Sequence, residues 1–336
     1  MNFSNFPLQY DRQNDENVFL STELLVAPDR RAKISLCTVA GNPTGDVGAS
    51  AENEDAIQII QTESKLLLGV FDGSANSLCS PYLVPFGING ARIVSGRLRE
   101  CLPEILEYQS LSQGLVHLNN RIKITIDTLL QELKIENPER RPMSTATIVN
   151  IDFQRLSLNL SHITDSILIL WMKDGKSILL TPDQVEPTII SFRAALREVR
   201  DEQLALPNPS LRKNIKDPRI QNTLQNDHFA RLHSRDGTGF GVINGTIDAE
   251  QYIVDGFYSL TNVEKILLCS DGLFPEGFES SELISRQLLL EQFQLGGFES
   301  VINWKRSIEN NDPEWIEYPR IKHSDDASGI MIELVD

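Results

Sequence analysis

Four short segments of the chain place a carboxylate at the end of an apolar run. They are Asn53-Glu54-Asp55-Ala56, Phe71-Asp72-Gly73, Ser270-Asp271-Gly272 and Ser324-Asp325-Asp326-Ala327. Taken singly each reads as a turn, because an aspartate and glycine after a strand are common turn residues. Together they ask for another explanation. An aspartate at the mouth of a buried strand is costly to desolvate unless a cation meets it. No basic residue stands beside any of the four in sequence, which points to hard divalent cations bound through oxygen. Carboxylate, carbonyl and water suit Mg2+ or Mn2+, and Gly73, lacking a Cβ, lets its carbonyl come close to an ion. The five histidines, His117, His162, His228, His233 and His323, show no zinc-type spacing, and the four cysteines form no C-x-x-C pair.

The elements that must position these acids are legible in the hydrophobic pattern. Residues 1–31 are polar and irregular and are expected to form an N-terminal extension, with the main domain over 32–336. AKISLCTV, DAIQIIQ and KLLLGVFD are short apolar runs divided by turn residues, hence strands. Residues 87–106 and 111–133 carry apolar side chains at helical spacing, the second with Val116, Ile122, Ile126, Leu129, Leu130 and Leu133 on one stripe. Strands return with STATIVNID, LSLNLSHI and SILILWM. The last leads into SILLT through Lys173-Asp174-Gly175-Lys176, for which a type I′ hairpin is predicted. Residues 184–238 lack a clear period, apart from a helical FRAALREVRDEQL, and read as an insertion or flap. Then follow the turn-rich GTGFGVING, the strand EKILLCSDG, a mostly helical 280–308 and the strand SGIMIELV. Helices lying between groups of strands suit an α+β fold, two antiparallel sheets with helices on their outer faces, and not a doubly wound parallel sheet.

The 336 residues are 40% hydrophobic and 23% charged, the composition of a globular protein with a core. A formal net charge of −16 disfavours nucleic acid and anionic membrane surfaces as partners. With no signal-peptide pattern at the N-terminus and no apolar run near 20 residues, a cytoplasmic protein is expected.

The ordered set ENEDA, VFDG, STA, TDSILILWMKDGK, LTPDQ, LLCSDGL and DDAS resembles the protein phosphatase 2C family of metal-dependent Ser/Thr phosphatases, over residues 32–335. NEDA and GFGVING hint at a bacterial-type member. The resemblance implies a four-layer αββα sandwich holding two Mn2+ or Mg2+ ions. It implies that Asp72 bridges them, that the Gly73 carbonyl binds one, and that Asp271 and Asp325 complete the other. Glu54 and Asp55 match an acidic pair that holds metal-bound water, and Asp165 a position that in bacterial members helps bind a third ion. Asp325 rather than Asp326 matches the ligand. Asp55 and Asp72 would then activate the water. Two ions about 4 Å apart lower its pKa, and the resulting hydroxide attacks the phosphorus of a phosphoserine or phosphothreonine of a protein substrate. Cys79 and Cys101 show no Gly-rich phosphate cradle followed by arginine, so a cysteine mechanism is not indicated.

The sequence departs from the family at Ser50, where an arginine usually grips the substrate phosphate bidentately. Three readings are open. Another basic residue, Arg92 or Arg97 on the first helix or Arg231 or Arg235 near the insertion, takes its role; the enzyme works at high KM; or the chain is a weak or inactive phosphatase-like module that binds a phosphorylated partner or a kinase. Milder departures are Ser74-Ala75-Asn76 after VFDG, Thr164 where glycine is usual, and Met143 before STA.

Overall fold

A computed structural model describes residues 18–27, 30–41, 52–62, 64–74, 79–136, 138, 140–275 and 277–335. Among the described residues eleven strands form two antiparallel sheets. The six-stranded sheet runs β1 (Val18–Ala27), β2 (Arg30–Val39), β11 (Ala327–Val335), β10 (Val263–Cys269), β7 (Ile167–Met172), β8 (Ser177–Leu179). The five-stranded sheet runs β3 (Ala56–Gln61), β4 (Lys65–Phe71), β5 (Ala146–Asp152), β6 (Ser157–Ile163), β9 (Val254–Ser259).

Alternation along each strand divides the apolar residues among three layers. Leu66, Leu68 and Val70 of β4 face Ile266 and Leu268 of β10 and Ile330 and Ile332 of β11 in the core between the sheets. The intervening Leu67 and Phe71 turn outward against helices α1 (Gly90–Cys101) and α2 (Leu111–Leu133). Leu267, Cys269 and Met331 turn outward on the other side, against a long helix whose buried face includes Leu289, Phe293 and Val301. The result is the four-layer αββα sandwich. Asn89 caps α1 by accepting from the Arg92 N–H at 3.1 Å, and Ser110 caps α2 from the Gln113 N–H at 3.2 Å.

Three expectations are corrected. The N-terminal extension is not irregular throughout: from Val18 it forms β1, paired with β2 from Val18 opposite Thr38 onward, with Val18 and Leu24 packed on the inter-sheet core. The rest of the expected extension, residues 1–17, lies outside the described residues. The turn after β7 is not type I′, because only Gly175 has positive φ (84°). Met172 donates to the Lys176 carbonyl at 2.8 Å, closing a three-residue loop with glycine in the left-handed position. The segment 184–238, read as an insertion or flap, has the expected helix over FRAALREVRDEQL but is not irregular elsewhere, adding further short helices. Its helix α3 (Glu186–Leu204) buries Leu196 and Val199 against Leu211, Ile215, Ile220 and Trp315. Trp315 belongs to the segment that follows the last long helix, α4 (Leu283–Asn311), which bends at Gly296 and Gly297. That segment is anchored by Arg320, 1% exposed, whose guanidinium meets Asp312 Oδ2 at 3.0 Å and the carbonyls of Glu309 and Asp312. Among the described residues no helix is long and apolar enough to cross a membrane.

Candidate active site

Strand register explains how acids distant in sequence meet. In the five-stranded sheet Ala56 pairs with Phe71, Val70 with Thr147 and Ala146 with Ile163, so Asp55, Asp72 and the turn holding Asp165 lie at one end. In the six-stranded sheet Ala327 pairs with Val39, and Cys269 with both Gly329 and Ile167, so Asp271 and Asp325 also share an end. Cross-links join the two ends. The Ser270 hydroxyl donates to Asp55 Oδ2 at 2.7 Å, and the Asn53 amide donates to Thr38 Oγ1 at 2.8 Å. Asp326 accepts from the Glu54 N–H at 2.7 Å and the Gly41 N–H at 2.5 Å. Asp326 is thus committed to the backbone, which leaves Asp325 as the carboxylate turned to the cluster.

The structure therefore brings Asp55, Asp72, Asp165, Asp271 and Asp325 together, with Glu54 and Gly73 beside them. Glu54 is 6% exposed; its side chain accepts from Asn89 Nδ2 at 3.0 Å and its carbonyl from the Ser95 hydroxyl at 2.5 Å. A Cβ on Gly73 would stand 2.6 Å from the Glu54 carbonyl oxygen, so that position requires glycine. Ser144 and Thr145 of STA hold the Asp72 backbone. The Asp72 carbonyl accepts from the Thr145 N–H and the Ser144 hydroxyl, both at 2.8 Å, and the Asp72 N–H donates to Thr145 Oγ1 at 3.1 Å.

The carboxylates stand in a crevice. Protein surrounds them closely, yet Asp271 is exposed and Asp55, Asp72, Asp165 and Asp325 are half-buried. Loss of solvent around Asp72 raises its pKa well above the usual range, and Asp55, Asp271, Asp325 and Asp165 add to the shift by repulsion. Asp55 is raised by the same loss of solvent and by Asp326, Asp325 and Asp271, with the Ser270 hydrogen bond opposing. Asp165 is raised by desolvation and then by Asp271 and Asp183. Asp271 is raised by desolvation and Asp325, against the pull of Lys322. Asp325 alone of these is lowered: desolvation works to raise it, but Lys322 and Lys305 prevail.

A hard divalent cation fits the chemistry of this donor set. Asp55 Oδ1 and Asp165 Oδ1 are buried oxygens without a hydrogen-bond partner, and a lone acceptor in that position is costly. The arrangement is looser than the chemistry. Among the described residues no three His, Cys, Asp or Glu side chains converge closely enough to share one ion, and the Lys322 ammonium is in contact with Asp325.

A cleft of about 350 Å³ opens on Asp165, Asp271 and Asp325, walled by α3 through Ile189, Ile190 and Arg193. Sequence reasoning missed the charged residues that join these acids there, Asp183, Arg193 and Lys322 among them. Asp183, in LTPDQ, has a carboxyl pushed up to about 6, chiefly by burial. Arg193 pairs with Glu279 at 2.6 Å. Lys322 gave no strand-end signal, though its spacing of three from Asp325 could have marked it. Of the substituted phosphate ligands considered, Arg92 and Arg97 line a separate depression that also touches Asp55, and are paired with Glu52 and Glu100. Arg235 pairs with Asp248, and neither it nor Arg231 lines the acidic cleft. Ser50 lies outside the described residues.

No family model and no curated protein matches the chain. Solved structures do. An arginine-to-lysine variant of a bacterial serine phosphatase aligns at TM-score 0.50 and 15% identity, over 90% of this chain and 97% of that one. The serine/threonine phosphatase Stp1 from Staphylococcus aureus aligns at 0.49 and 13%, over 94% and 99%. The Mycobacterium tuberculosis serine/threonine phosphatase PstP/Ppp aligns at 0.47 and 16%, over 91% and 99%. The chain shares the fold of a bacterial serine phosphatase, the sandwich that its resemblance to protein phosphatase 2C predicts.

Proposed function

We propose that this chain is a metal-dependent phosphatase that removes phosphate from phosphoserine and phosphothreonine of proteins. The observation that carries the reading is the meeting of five aspartates from both sheets in one crevice, mutually repelling and opening on a cleft. Asp72, which is repelled by acids of both sheets, would hold two Mn2+ or Mg2+ ions with the Gly73 carbonyl, Asp271 and Asp325. Glu54 and Asp55 would act through water, and Asp165 would serve a third ion. When bound, such ions supply positive charge for a phosphate and a water acidic enough to ionise near neutral pH.

The chain's own residues set the rest. Ser144 and Thr145 fix the Asp72 main chain. Ser270 orients Asp55 by donating to one oxygen, leaving the other turned inward. α3 walls the cleft with apolar Ile189 and Ile190 and cationic Arg193, a surface suited to a polypeptide flanking a phosphorylated side chain. A cytoplasmic setting and a phosphoprotein partner complete the reading.

The test is hydrolysis of p-nitrophenyl phosphate and of a phosphothreonine peptide by Mn2+-loaded protein. Turnover is expected to fall on the order of a thousandfold in Asp72→Asn; wild-type turnover no higher than that variant's would sink the proposal. A second reading, a phosphatase-like module that binds a phosphorylated partner without hydrolysis, is favoured by one observation, the lysine already in contact with Asp325. Tight phosphopeptide binding without Mn2+ uptake would select it.

A further inference from the structure

The two lysines that oppose the acidic charge differ in freedom. Lys305 is 2% exposed and held on α4 by Glu309 Oε1 at 3.2 Å; Glu309 in turn is tied to Arg306 at 3.0 Å and to the Ser324 hydroxyl at 2.5 Å. It is a fixed part of the frame. Lys322 lies in the loop leading to β11, three residues before Asp325, and reaches Asp325 Oδ1 with its ammonium. That same oxygen accepts from the Asp326 N–H at 2.9 Å. The Lys322 side chain remains 31% exposed and lines the cleft with Asp165, Asp271 and Asp325. Its stem has room into which to turn.

We propose that Lys322 is an internal counter-ion that competes with a divalent metal for Asp325, so that metal uptake on the Asp271–Asp325 side requires its ammonium to swing into the cleft. The inference rests on the reading that the cluster binds metal. An ammonium and a metal ion cannot both approach one carboxylate oxygen closely, since their repulsion grows as the distance falls. Among the aspartates, the one Lys322 touches is also the one whose charge the protein already neutralises best. The lysine side chain suits a displaceable role, being a point charge on a flexible four-carbon stem with no fork to lock it in register. With Lys322 in contact, the cluster is held together without metal but its affinity for metal is reduced. A mobile lysine therefore acts as a positioning and tuning residue, and the metal concentration at which the site fills is set by it.

The experiment is calorimetric titration with Mn2+ alone of the wild type, Lys322→Met and Lys322→Arg, with thermal unfolding of each in chelator and in saturating Mn2+. Lys322→Met is expected to bind Mn2+ about tenfold more tightly, about 1.4 kcal/mol. It should also melt lower in chelator and gain more from Mn2+ than the wild type. Lys322→Arg, whose guanidinium grips a carboxylate bidentately, is expected to bind Mn2+ more weakly than the wild type, and it keeps the positive charge should the methionine variant fold poorly. A lysine that only braces the loop would lower the melting temperature equally with and without Mn2+ and leave affinity unchanged. Equal Mn2+ affinity in all three proteins overturns the inference while leaving the metal site standing. No Mn2+ uptake by any of them overturns the metal reading, and the inference with it.

Discussion

The two sheets bring carboxylates of opposite electrostatic standing to the same crevice. On the five-stranded side, Asp55 and Asp72 are raised by loss of solvent and then by neighbouring carboxylates, Asp326 foremost for Asp55 and Asp55 for Asp72, and the Ser270 hydrogen bond relieves only Asp55. On the six-stranded side, Asp271 is likewise raised, by desolvation and Asp325, but Asp325 is held below its usual range by Lys322 and Lys305. Asp55 and Asp72 lack a cation, whereas Asp325 carries its own. The difference teaches that an acidic cluster is not uniformly prepared for metal. Asp55 and Asp72 gain most from an added cation, whereas Asp325 must first give one up.

The sharpest way to break that comparison is to neutralise one acid on each side and unfold the metal-free proteins in urea at pH 7. Asp72→Asn removes a repelled charge and is expected to stabilise, and Asp325→Asn removes a satisfied one and is expected to destabilise. Since both side chains are partly open to solvent, each effect is about 1–2 kcal/mol, which sets the two variants about 3 kcal/mol apart. Shifts of the same sign in both would end the distinction.

Acid titration offers a second approach, because a buried histidine beside the cluster must be separated from the acids. His162 is fully buried, bonded to Thr147 Oγ1 at 2.7 Å and the Pro182 carbonyl at 2.9 Å, and burial pushes its pKa down to about 4. Between the ordinary histidine value near 6.5 and about 4, the unfolded chain binds the proton and the folded one does not. Stability therefore falls as pH falls through that window, by about 1.4 kcal/mol per unit and up to about 3 kcal/mol in all. The repelled carboxylates push the other way, since protonation relieves them. Comparing urea midpoints of wild type and His162→Gln from pH 7 to 4 isolates the histidine; equal slopes would show that it contributes nothing.

The smallest expected effect concerns the cleft wall. Arg193→Ala leaves the acids untouched and should raise KM for a phosphopeptide roughly tenfold, the scale of one charge-assisted contact, with little change on p-nitrophenyl phosphate. An equal loss on both substrates would place Arg193 with the acids instead of the substrate's flank.

Asp55, Asp72, Asp271 and Asp325 stood out in the sequence because each adjoins an apolar run, Asp72 and Asp271 after one and Asp55 and Asp325 before one, and the order of the motifs carried the sandwich. Strand β1 was missed because the polar residues preceding it masked VFLSTELLVA. Strand β9 was missed because VDGFYS is mostly exposed and shows no apolar face. The insertion looked irregular because its core is completed from elsewhere, by Trp315, more than a hundred residues after α3 begins. Lys322 was invisible for a related reason. Reading basic residues only beside the strand-end acids overlooks a side chain that reaches back from three positions away across a loop. Contacts closed by the fold, rather than by periodicity, are what the chain alone conceals.

The central claim is that the crevice binds divalent cations through aspartates of both sheets, and Mn2+ titration of the chelator-treated protein tests it most directly. Stoichiometric uptake, about two ions per chain, that is lost in Asp72→Asn is the predicted result. A wild-type protein that takes up no Mn2+, or one whose uptake survives Asp72→Asn unchanged, would contradict it.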